Sequence, residues 1–235
     1  MRIDFHTHIL PGIDDGSRSI AESVKMLQME REQGITHVVA TPHFYAARDH
    51  LDEFLSRRQK SEELLRREME KYPDCPEIIV GSEVHFFRGI STCDDIFRLT
   101  IDNKSSILLE MPVLPWSPSV LNEVGLIYER QGITPIIAHI DRYIRPFQAR
   151  HVLKMLADMP VLIQANAGFF QRAETQRLAM RMLRNQKIHL LGSDCHGASY
   201  RVPNLGQTHQ LISKRLGENY NQYVDQNGAR LLENM

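Results

Sequence analysis

Short apolar segments rich in β-forming residues alternate with longer amphipathic segments along the whole chain of 235 residues. Most of the short segments are too short for helices and are bounded by glycine, proline or polar residues, so they are predicted to be buried strands. These strands comprise residues 3–5, 37–40, 77–84, 107–111, 135–138, 161–164 and 189–191. Predicted helices comprise residues 20–33, 51–71, 119–131, 148–157, 173–186, 205–216 and 220–233.

A strand–helix alternation without long linkers is typical of parallel strands covered by helices. Residues at the ends of the predicted helices agree with this alternation. Ser19 and Glu22 have the spacing of a capping box, and Gly34 and Gly132 each stand between a helix and an apolar strand. Seven repeats in a chain of this length fit a closed or nearly closed barrel better than two domains. The sequence therefore predicts an α/β barrel that occupies residues 1–235 as a single domain.

Charge and cysteine usage exclude several classes of protein. Lys and Arg total 28 against 29 Asp and Glu, which gives a net charge of -1. No positive excess is present to hold nucleic acid or an anionic membrane, so any bound anion must be captured locally. No apolar run approaches the ~18 residues that span a bilayer. The 3 cysteines lack CxxC spacing, which disfavours a disulfide framework or structural zinc and favours the cytoplasm.

Residues that can bind metal fall at the carboxyl ends of the predicted strands or in the loops that follow them. In parallel β/α folds these ends converge on one face, where active sites are built. Residues remote in the sequence are therefore expected to surround one point. They are His6, His8, Asp15, His43, Glu83, Glu110, His139, Asp194 and His196.

Each of these signals has an alternative reading. His6 and His8 lie on one side of an extended strand, although an isolated His pair is often incidental. His43 alone fits a core or capping role equally well. Glu83 and Glu110 follow apolar runs, where a carboxylate is costly to desolvate unless it is paired or binds metal. Taken together, the positions favour a metal site.

A set of imidazoles and carboxylates suits zinc, manganese, iron or cobalt. Nine ligands exceed what one ion binds, so two or three ions that share bridging carboxylates are expected. Two ions about 3.5–4 Å apart stabilise the attacking and leaving oxygens of a phosphoryl group. The chemistry predicted from the residues is therefore metal-dependent hydrolysis of a phosphate ester.

Six segments of the chain contain the predicted ligands. They are His6-Thr-His8-Ile-Leu-Pro-Gly-Ile-Asp-Asp15-Gly-Ser, Ala-Thr-Pro-His43, Gly-Ser-Glu83-Val, Leu-Glu110-Met-Pro, Ala-His139-Ile-Asp-Arg142 and Ser-Asp194-Cys-His196. In this order they resemble the polymerase and histidinol phosphatase (PHP) family. The similarity is greatest to its CpsB-type members, the bacterial protein-tyrosine phosphatases of capsule and exopolysaccharide operons, and it extends from residue 1 to about residue 232.

The resemblance implies a distorted (β/α)7 TIM-like barrel with three divalent ions, often manganese, with iron, zinc, cobalt and magnesium as alternatives. By position, the first ion would be held by His6, His8, Glu83 and Asp194. The second would be held by Glu83, Glu110 and His139, and the third by Asp15, His43 and His196. Glu83 would then bridge the first two ions.

Two arginines, Arg142 and Arg201, stand where the family places phosphate-binding arginines, a role suited to the planar guanidinium. The alternative for Arg201 is a surface pair with a carboxylate such as Glu218. The family's His-Pro-Glu-Arg appears here as His139-Ile-Asp-Arg142, so the local backbone is expected to differ. His85 replaces an arginine that is common in the subgroup, and is either a polar contact or an ordinary strand residue.

The segment from Cys195 to Arg201 also matches Cys-x5-Arg, the spacing of cysteine-dependent tyrosine phosphatases. That chemistry needs an exposed thiolate with a depressed pKa. Cys195 lies between two predicted metal ligands, and strand alternation points it away from them. The cysteine mechanism is therefore disfavoured.

The resemblance implies a metal-dependent phosphoric monoester hydrolase that acts on phosphotyrosine, with the tyrosine-rich tail of a bacterial tyrosine autokinase as the expected substrate. Phe44 and Tyr45 follow His43 and either stack on the tyrosine ring or pack within a loop. One alternative is a small-molecule phosphatase such as histidinol-phosphate phosphatase. The other is a metal-binding PHP module without catalysis.

Overall fold

The structure is a computed structural model that describes residues 1–113, 115–144 and 149–233. Within these residues the chain forms nine strands, and all pairings between them are parallel. The strands are β1 (Ile3–Thr7), β2 (His37–Ala40), β3 (His43–Phe44), β4 (Glu77–Val80), β5 (Glu83–His85), β6 (Ser106–Glu110), β7 (Thr134–Ile137), β8 (Leu162–Asn166) and β9 (Leu190–Gly192).

Every predicted helix is confirmed, with ends that differ by a few residues, although position 148 lies outside the described residues. The helices are α1 (Ile20–Glu32), α2 (Leu51–Met69), α3 (Pro118–Gln131), α4 (Ala149–Leu156), α5 (Ala167–Gln171), α6 (Ala173–Arg184), α7 (Leu205–Leu216) and α8 (Glu218–Glu233). The short helix α5 is additional. No helix formed by the described residues has both the length and the apolar character needed to cross a membrane.

The helix ends follow their sequence signals. Ser19 Oγ accepts a hydrogen bond from the backbone N–H of Glu22 at the start of α1, as the capping-box spacing predicts. Glu22 returns its carboxylate to the N–H of Arg18 rather than to that of Ser19. Gly34 and Gly132 both adopt positive φ, +79° and +67°, a conformation suited to glycine. Both glycines therefore terminate their helices and direct the chain into the next strand.

The predicted strand at 77–84 is wrong as a single element, because it is divided into β4 and β5 at Gly81 and Ser82. A similar break separates β2 from β3 and contains Pro42, which has no N–H to donate to a ladder. At the first break the guanidinium of Arg58 donates to the Gly81 carbonyl at 3.0 Å and to Ser82 Oγ at 2.7 Å. These breaks account for nine observed strands where the sequence predicts seven.

The strands form two sheets, in the orders β1-β2-β4 and β3-β5-β6-β7-β8-β9. The sheets also meet at the carboxyl ends of β1 and β9. There the N–H of His8 donates to the Cys195 carbonyl at 2.9 Å, and the N–H of Asp194 donates to the His6 carbonyl at 2.8 Å. The parallel sheet is therefore curled, and the predicted α/β class is confirmed. The count of seven repeats and the single domain stay predictions.

Strand alternation distributes the apolar core between two layers. In β6, Ile107 and Leu109 pack with the helices, whereas Leu108 joins a smaller cluster formed mostly by strand residues. Successive strand side chains point to opposite faces, so Glu110 lies on the same inner face as Leu108. The inner cluster contains Ile3, Phe5, Val39, Ile101, Leu108, Ile136, Ala138 and Leu190. Apolar packing inside the sheet thus lies beneath the carboxylate-bearing strand ends.

Close packing between β9 and β1 leads to a stability prediction for Gly192→Ala. A Cβ at Gly192 would lie 2.6 Å from His6 Cβ and 2.8 Å from Gln164 Nε2. Because neighbouring strands must shift to admit it, we expect the free energy of unfolding to fall by about 1–3 kcal/mol. Chemical denaturation of metal-free protein measures this change.

Gly125→Ala in α3 is the matched control, because nothing lies within 4 Å of a Cβ at that position. Alanine is favoured over glycine inside a helix, so this variant should be neutral or more stable by up to about 1 kcal/mol. Equal effects of the two substitutions would contradict the packing argument.

Candidate metal centre

The structure brings all the predicted ligands to the carboxyl-terminal side of the strands. His6 lies within β1 and Glu110 ends β6, while His8, Asp15, His139, Asp194 and His196 lie in loops that follow strands. The other two predicted ligands come directly after the breaks described above. His43 begins β3 and Glu83 begins β5, and the two residues are paired in register. The ligand atoms form three groups, and within each group they lie within 4.8 Å of one another. The first group is His6, His8 and Asp194, the second is His43, Glu83 and Glu110, and the third is His8, Asp15, His43 and His196.

The first group is built around the two histidines of the HxH motif. His6 Nε2 lies 3.1 Å from His8 Nε2 and 3.1 Å from Glu83 Oε2. Asp194 Oδ1 lies 3.6 Å from His6 Nε2 and 3.5 Å from His8 Nε2. Two imidazole nitrogens and two carboxylates therefore converge, which is the donor set that the resemblance assigns to the first ion.

Glu83 connects this group to the second. Its Oε1 lies 2.7 Å from His139 Nε2, whereas its Oε2 lies beside the first group and 3.1 Å from His43 Nδ1. Glu110 Oε1 lies 3.6 Å from His139 Nε2. The two oxygens of Glu83 thus face different sets of imidazoles, an arrangement suited to a bridging ligand.

The third group lies at the edge of the site. Asp15, whose side chain is 70% exposed, has its Oδ1 3.5 Å from His43 Nε2 and 3.6 Å from His196 Nε2. Among the described residues His43 Nδ1 makes no hydrogen bond, although Glu83 Oε2 is only 3.1 Å away. Donor atoms crowded around common points without hydrogen-bond geometry fit ligands of shared cations.

The electrostatics of the buried ligands show that the centre needs positive charge. Burial disfavours the charged form of His6, but attraction to Glu83 and Asp194 outweighs it and raises the pKa of His6. Burial also opposes a charge on His8, whose pKa nevertheless rises well above its ordinary value through hydrogen bonds to Asp14 and Asp194. Burial would raise the pKa of Glu83, yet the charge of His6 holds it well below the usual range. Ionised carboxylates here are balanced by protons on imidazole, or by metal.

The histidines nearer the surface carry the opposite shift. Burial lowers the pKa of His196 to about 4, and it also lowers the pKa of His43. Both rings are therefore neutral near physiological pH and present a lone pair, the form of imidazole that binds metal.

Asp14 orients two of the ligands and was not predicted from the sequence. Its Oδ2 accepts from His8 Nδ1 at 2.7 Å and from the backbone N–H of His43 at 3.0 Å, while its Oδ1 accepts from Gly16. With Nδ1 bonded in this way, His8 directs Nε2 at the centre. The sequence feature that points to this role is the Asp14–Asp15 pair before Gly16. At Gly16 the backbone lies close to His8, because a Cβ at Gly16 would be 2.3 Å from the His8 carbonyl oxygen.

Amide side chains from β8 provide similar support for His139, His6 and Asp194. Gln164 Oε1 accepts from the backbone N–H of His139 at 2.6 Å and lies 3.4 Å from His6 Nδ1. Asn166 Nδ2 donates to Asp194 Oδ2 at 2.8 Å. The only sequence signal for Gln164 was an amide at the end of an apolar strand.

The departure from the family motif also has a structural role. Asp141, in the His139-Ile-Asp-Arg142 segment, accepts a hydrogen bond from the backbone N–H of Asn166 at 3.1 Å, and its burial raises its pKa. His139 adopts a left-handed conformation with φ of 33°. The short aspartate therefore ties the loop after β7 to the end of β8.

Both predicted arginines lie against predicted ligands. Arg201 Nη2 lies 2.6 Å from Asp194 Oδ2, and Arg201 Nη1 lies 3.1 Å from His196 Nε2. Arg142 Nη1 contacts Glu110 Oε1. The alternative pairing of Arg201 with Glu218 is not observed, because Glu218 instead lies 3.3 Å from Arg2.

The structure contradicts the cysteine-dependent alternative. Cys195 is fully buried, and its Sγ lies 4.0 Å from Glu30 Oε1, away from the metal ligands. Burial raises the pKa of the Cys195 thiol well above its ordinary value, and the nearby carboxyl groups of Glu30 and Asp4 raise it further. A buried neutral thiol is neither accessible nor nucleophilic.

Of the two alternatives considered for Phe44, the structure favours packing over substrate stacking, because its ring is buried and lies 5.1 Å from the ring of Phe54. Tyr45 is half-buried at the edge of the site, and the guanidinium of Arg48 lies 3.9 Å over its ring. Its role in substrate stacking stays a prediction. His85 makes the polar contact considered from the sequence, with Nδ1 3.1 Å from Glu110 Oε2.

Known proteins are similar to this chain in sequence and in fold. The model of the family "Capsular polysaccharide synthesis, CpsB/CapC" matches residues 2–233. Tyrosine-protein phosphatase CpsB of Streptococcus agalactiae is 25% identical over 250 residues, covering 99% of this chain and 98% of the relative. Tyrosine-protein phosphatase YwqE of Bacillus subtilis is 26% identical over 240 residues, covering 99% and 92% respectively.

Solved structures extend the comparison. A chain from the crystal structures of YwqE from Bacillus subtilis and CpsB from Streptococcus pneumoniae, described as unique metal-dependent tyrosine phosphatases, has a TM-score of 0.86 at 22% identity, covering 99% of this chain and 95% of that chain. Histidinol phosphate phosphatase from Lactococcus lactis has a TM-score of 0.58 at 15% identity, covering 91% and 93%. At these identities the likeness is one of fold.

Asp14→Asn tests the orienting role of this carboxylate. An amide offers one acceptor oxygen where the carboxylate accepts bonds from His8, His43 and Gly16. We expect the Mn²⁺ affinity to fall by about 10- to 100-fold, as for lost support of a ligating histidine. Competition with a fluorescent chelator measures it. Asp74→Asn, at an exposed position, is the control, and equal affinities in the two variants would refute the role.

Proposed function

Because the chain belongs to the CpsB/CapC family of capsular polysaccharide synthesis proteins, we propose that it is a metal-dependent protein-tyrosine phosphatase. The observation that carries the proposal is the convergence of imidazoles, carboxylates and two arginines on one face of a curled parallel sheet. Its relatives CpsB and YwqE are named tyrosine-protein phosphatases. Phosphotyrosine is therefore the proposed substrate group.

The proposed centre holds two to three divalent ions, with manganese as the first candidate. His6, His8, Glu83 and Asp194 would hold the first ion, and Glu83, Glu110 and His139 the second. Asp15, His43 and His196 would hold the third. When bound, such ions stabilise the charge of a phosphoryl group and make hydroxide available near neutral pH.

The protein's own side chains position the substrate. Arg201 and Arg142 would donate charge-assisted hydrogen bonds to the nonbridging phosphate oxygens, which gain charge in the transition state. Asp14 and Gln164 keep the ligating rings of His8 and His6 in place. The phenolate leaving group, with a reference pKa of about 10, needs less protonation than an alkoxide.

The physiological role follows from the family and is part of the proposal. The substrate would be the phosphorylated tyrosine-rich tail of a bacterial tyrosine autokinase that controls capsule or exopolysaccharide synthesis. The phosphatase would bind such a tail in the cytoplasm. The three cysteines are all free, which fits a reducing compartment.

Steady-state kinetics with and without metal test the proposal. We expect at least two transition-metal ions per chain by elemental analysis, loss of activity in EDTA, and recovery with Mn²⁺, because the donors are too many for one ion. Phosphotyrosine peptide and histidinol phosphate are assayed side by side. A higher kcat/KM on histidinol phosphate would favour the small-molecule phosphatase, and metal binding without turnover of either would favour a non-catalytic module.

Arg201→Lys tests phosphate binding, because lysine keeps the charge but lacks the paired donors. We expect kcat/KM on phosphotyrosine peptide to fall by about 10²-fold or more, comparable to the loss of one preorganised donor. Metal content and Tm should stay near wild type. Arg177→Lys, on an exposed part of α6, is the control. Activity of Arg201→Lys within about threefold of wild type would show that Arg201 does not bind the phosphate.

A further inference from the structure

A groove of about 610 Å³ runs beside the candidate metal centre. We call it the arginine groove, because its lining includes Arg142, Arg172 and Arg201 together with Asp194 and Tyr200. The lining of the groove therefore includes a predicted metal ligand, Asp194. A peptide whose phosphotyrosine reaches the centre can leave it along this groove.

Two of the three arginines are engaged with the centre. Arg201 lies against Asp194 and His196, and Arg142 contacts Glu110. The guanidinium of Arg172, by contrast, has no ion pair or side-chain hydrogen bond within residues 1–113, 115–144 and 149–233. An arginine carries five N–H donors, so Arg172 offers charge and donors that the described residues leave unused.

The position of Arg172 is defined by its local structure. It follows α5 and precedes α6, and its backbone N–H donates to the Gly168 carbonyl at 3.2 Å. Its side chain lies beside Gly168, since a Cβ built there would be 3.5 Å from Arg172 Nη2. Gly168 is itself part of the groove lining. The guanidinium is thus placed along the groove wall.

Tyr200 gives the groove a second feature of a peptide site. Its side chain is 77% exposed and lies in the lining immediately before Arg201. An exposed aromatic ring and an unpaired arginine in one groove can contact the apolar and the anionic parts of a peptide.

The cavity on the other side of the centre is less suited to an anion. It has a volume of about 360 Å³ and its lining includes Asp15 and Asp49. Arg57 there lies 3.2 Å from Asp49, and Arg48 stacks on Tyr45. Its lining has three aspartates and two arginines, whereas the lining of the arginine groove has three arginines and two aspartates. The balance of charge therefore favours the arginine groove as the path for an acidic segment.

We propose that Arg172 binds a carboxylate side chain next to the phosphotyrosine in an acidic peptide. The inference rests on the proposed phosphatase function and adds a specificity subsite to it. An extended peptide advances about 3.3 Å per residue, so a side chain within a few positions of the phosphotyrosine lies in the groove. A charge-assisted hydrogen bond in a partly exposed groove then gives about a 3- to 10-fold preference in kcat/KM.

A glutamate scan tests the subsite. Phosphotyrosine peptides with a single Glu at one of the three positions on either side are compared with the all-Ala peptide, on metal-loaded enzyme. In the wild type, Glu at one or two positions on one side should raise kcat/KM about 3- to 10-fold. In Arg172→Gln this ratio should fall to about one, whereas the control Arg177→Gln should keep it.

A charge reversal provides a second variant. Arg172→Glu should prefer Lys over Glu at the position that the scan identifies, since the sign of the subsite is inverted. This inversion is not expected from a general loss of stability.

The possible failures are distinguishable. Turnover of the all-Ala peptide without a Glu preference at any position would overturn the subsite and leave the proposed function intact. A Glu preference that survives in Arg172→Gln would also overturn the subsite. No turnover of any phosphotyrosine peptide by metal-loaded enzyme would overturn the phosphatase proposal and the subsite with it.

Discussion

The carboxylate of Glu83 is the charge around which the carboxyl-terminal face of the sheet is organised. It is 1% exposed, and an ionised carboxylate so placed costs several kcal/mol unless positive or donor groups surround it. Its Oε2 lies 3.1 Å from both His6 Nε2 and His43 Nδ1, and its Oε1 lies 2.7 Å from His139 Nε2. Because these rings come from β1, β3 and the loop after β7, burial of this one carboxylate requires three distant parts of the chain to be correctly positioned.

A second pair of carboxyl groups supports the centre from behind and differs from Glu83 in charge. Asp4 Oδ1 accepts the backbone N–H groups of His6 at 3.2 Å and Ser193 at 2.9 Å, and so joins β1 to the end of β9. Burial raises the pKa of Asp4, and burial together with the nearby Asp4 carboxyl group raises that of Glu30 well above its ordinary value. Both carboxyl groups are buried, and two such neighbours do not readily ionise together. The support behind the centre therefore carries less negative charge than the face that bears the predicted metal ligands.

Sequence reasoning succeeded where one residue carries a large energetic cost. Glu83 and Glu110 follow apolar runs, so their burial could be explained only by metal or charge partners, and the structure places both among imidazoles. It failed where the outcome depends on contacts made across the fold. The division of residues 77–84 depends on Arg58, which comes from another element. Substrate stacking and loop packing could not be distinguished for Phe44 from its neighbours in sequence, because the ring of Phe54 against which it packs lies in α2.

The choice between Asp14 and Asp15 shows the same limit within the site itself. Both are acidic, adjacent and close to the HxH motif, so composition and spacing cannot separate them. Their roles differ because the turn at Gly16 places the Asp14 carboxylate within hydrogen-bond distance of His8 Nδ1 and the backbone N–H of His43. Asp15 is left exposed beside His43 and His196. The carboxylate of Asp14 therefore orients two predicted ligands, whereas that of Asp15 stays available to a cation. The two roles differ although the residues are adjacent in the loop.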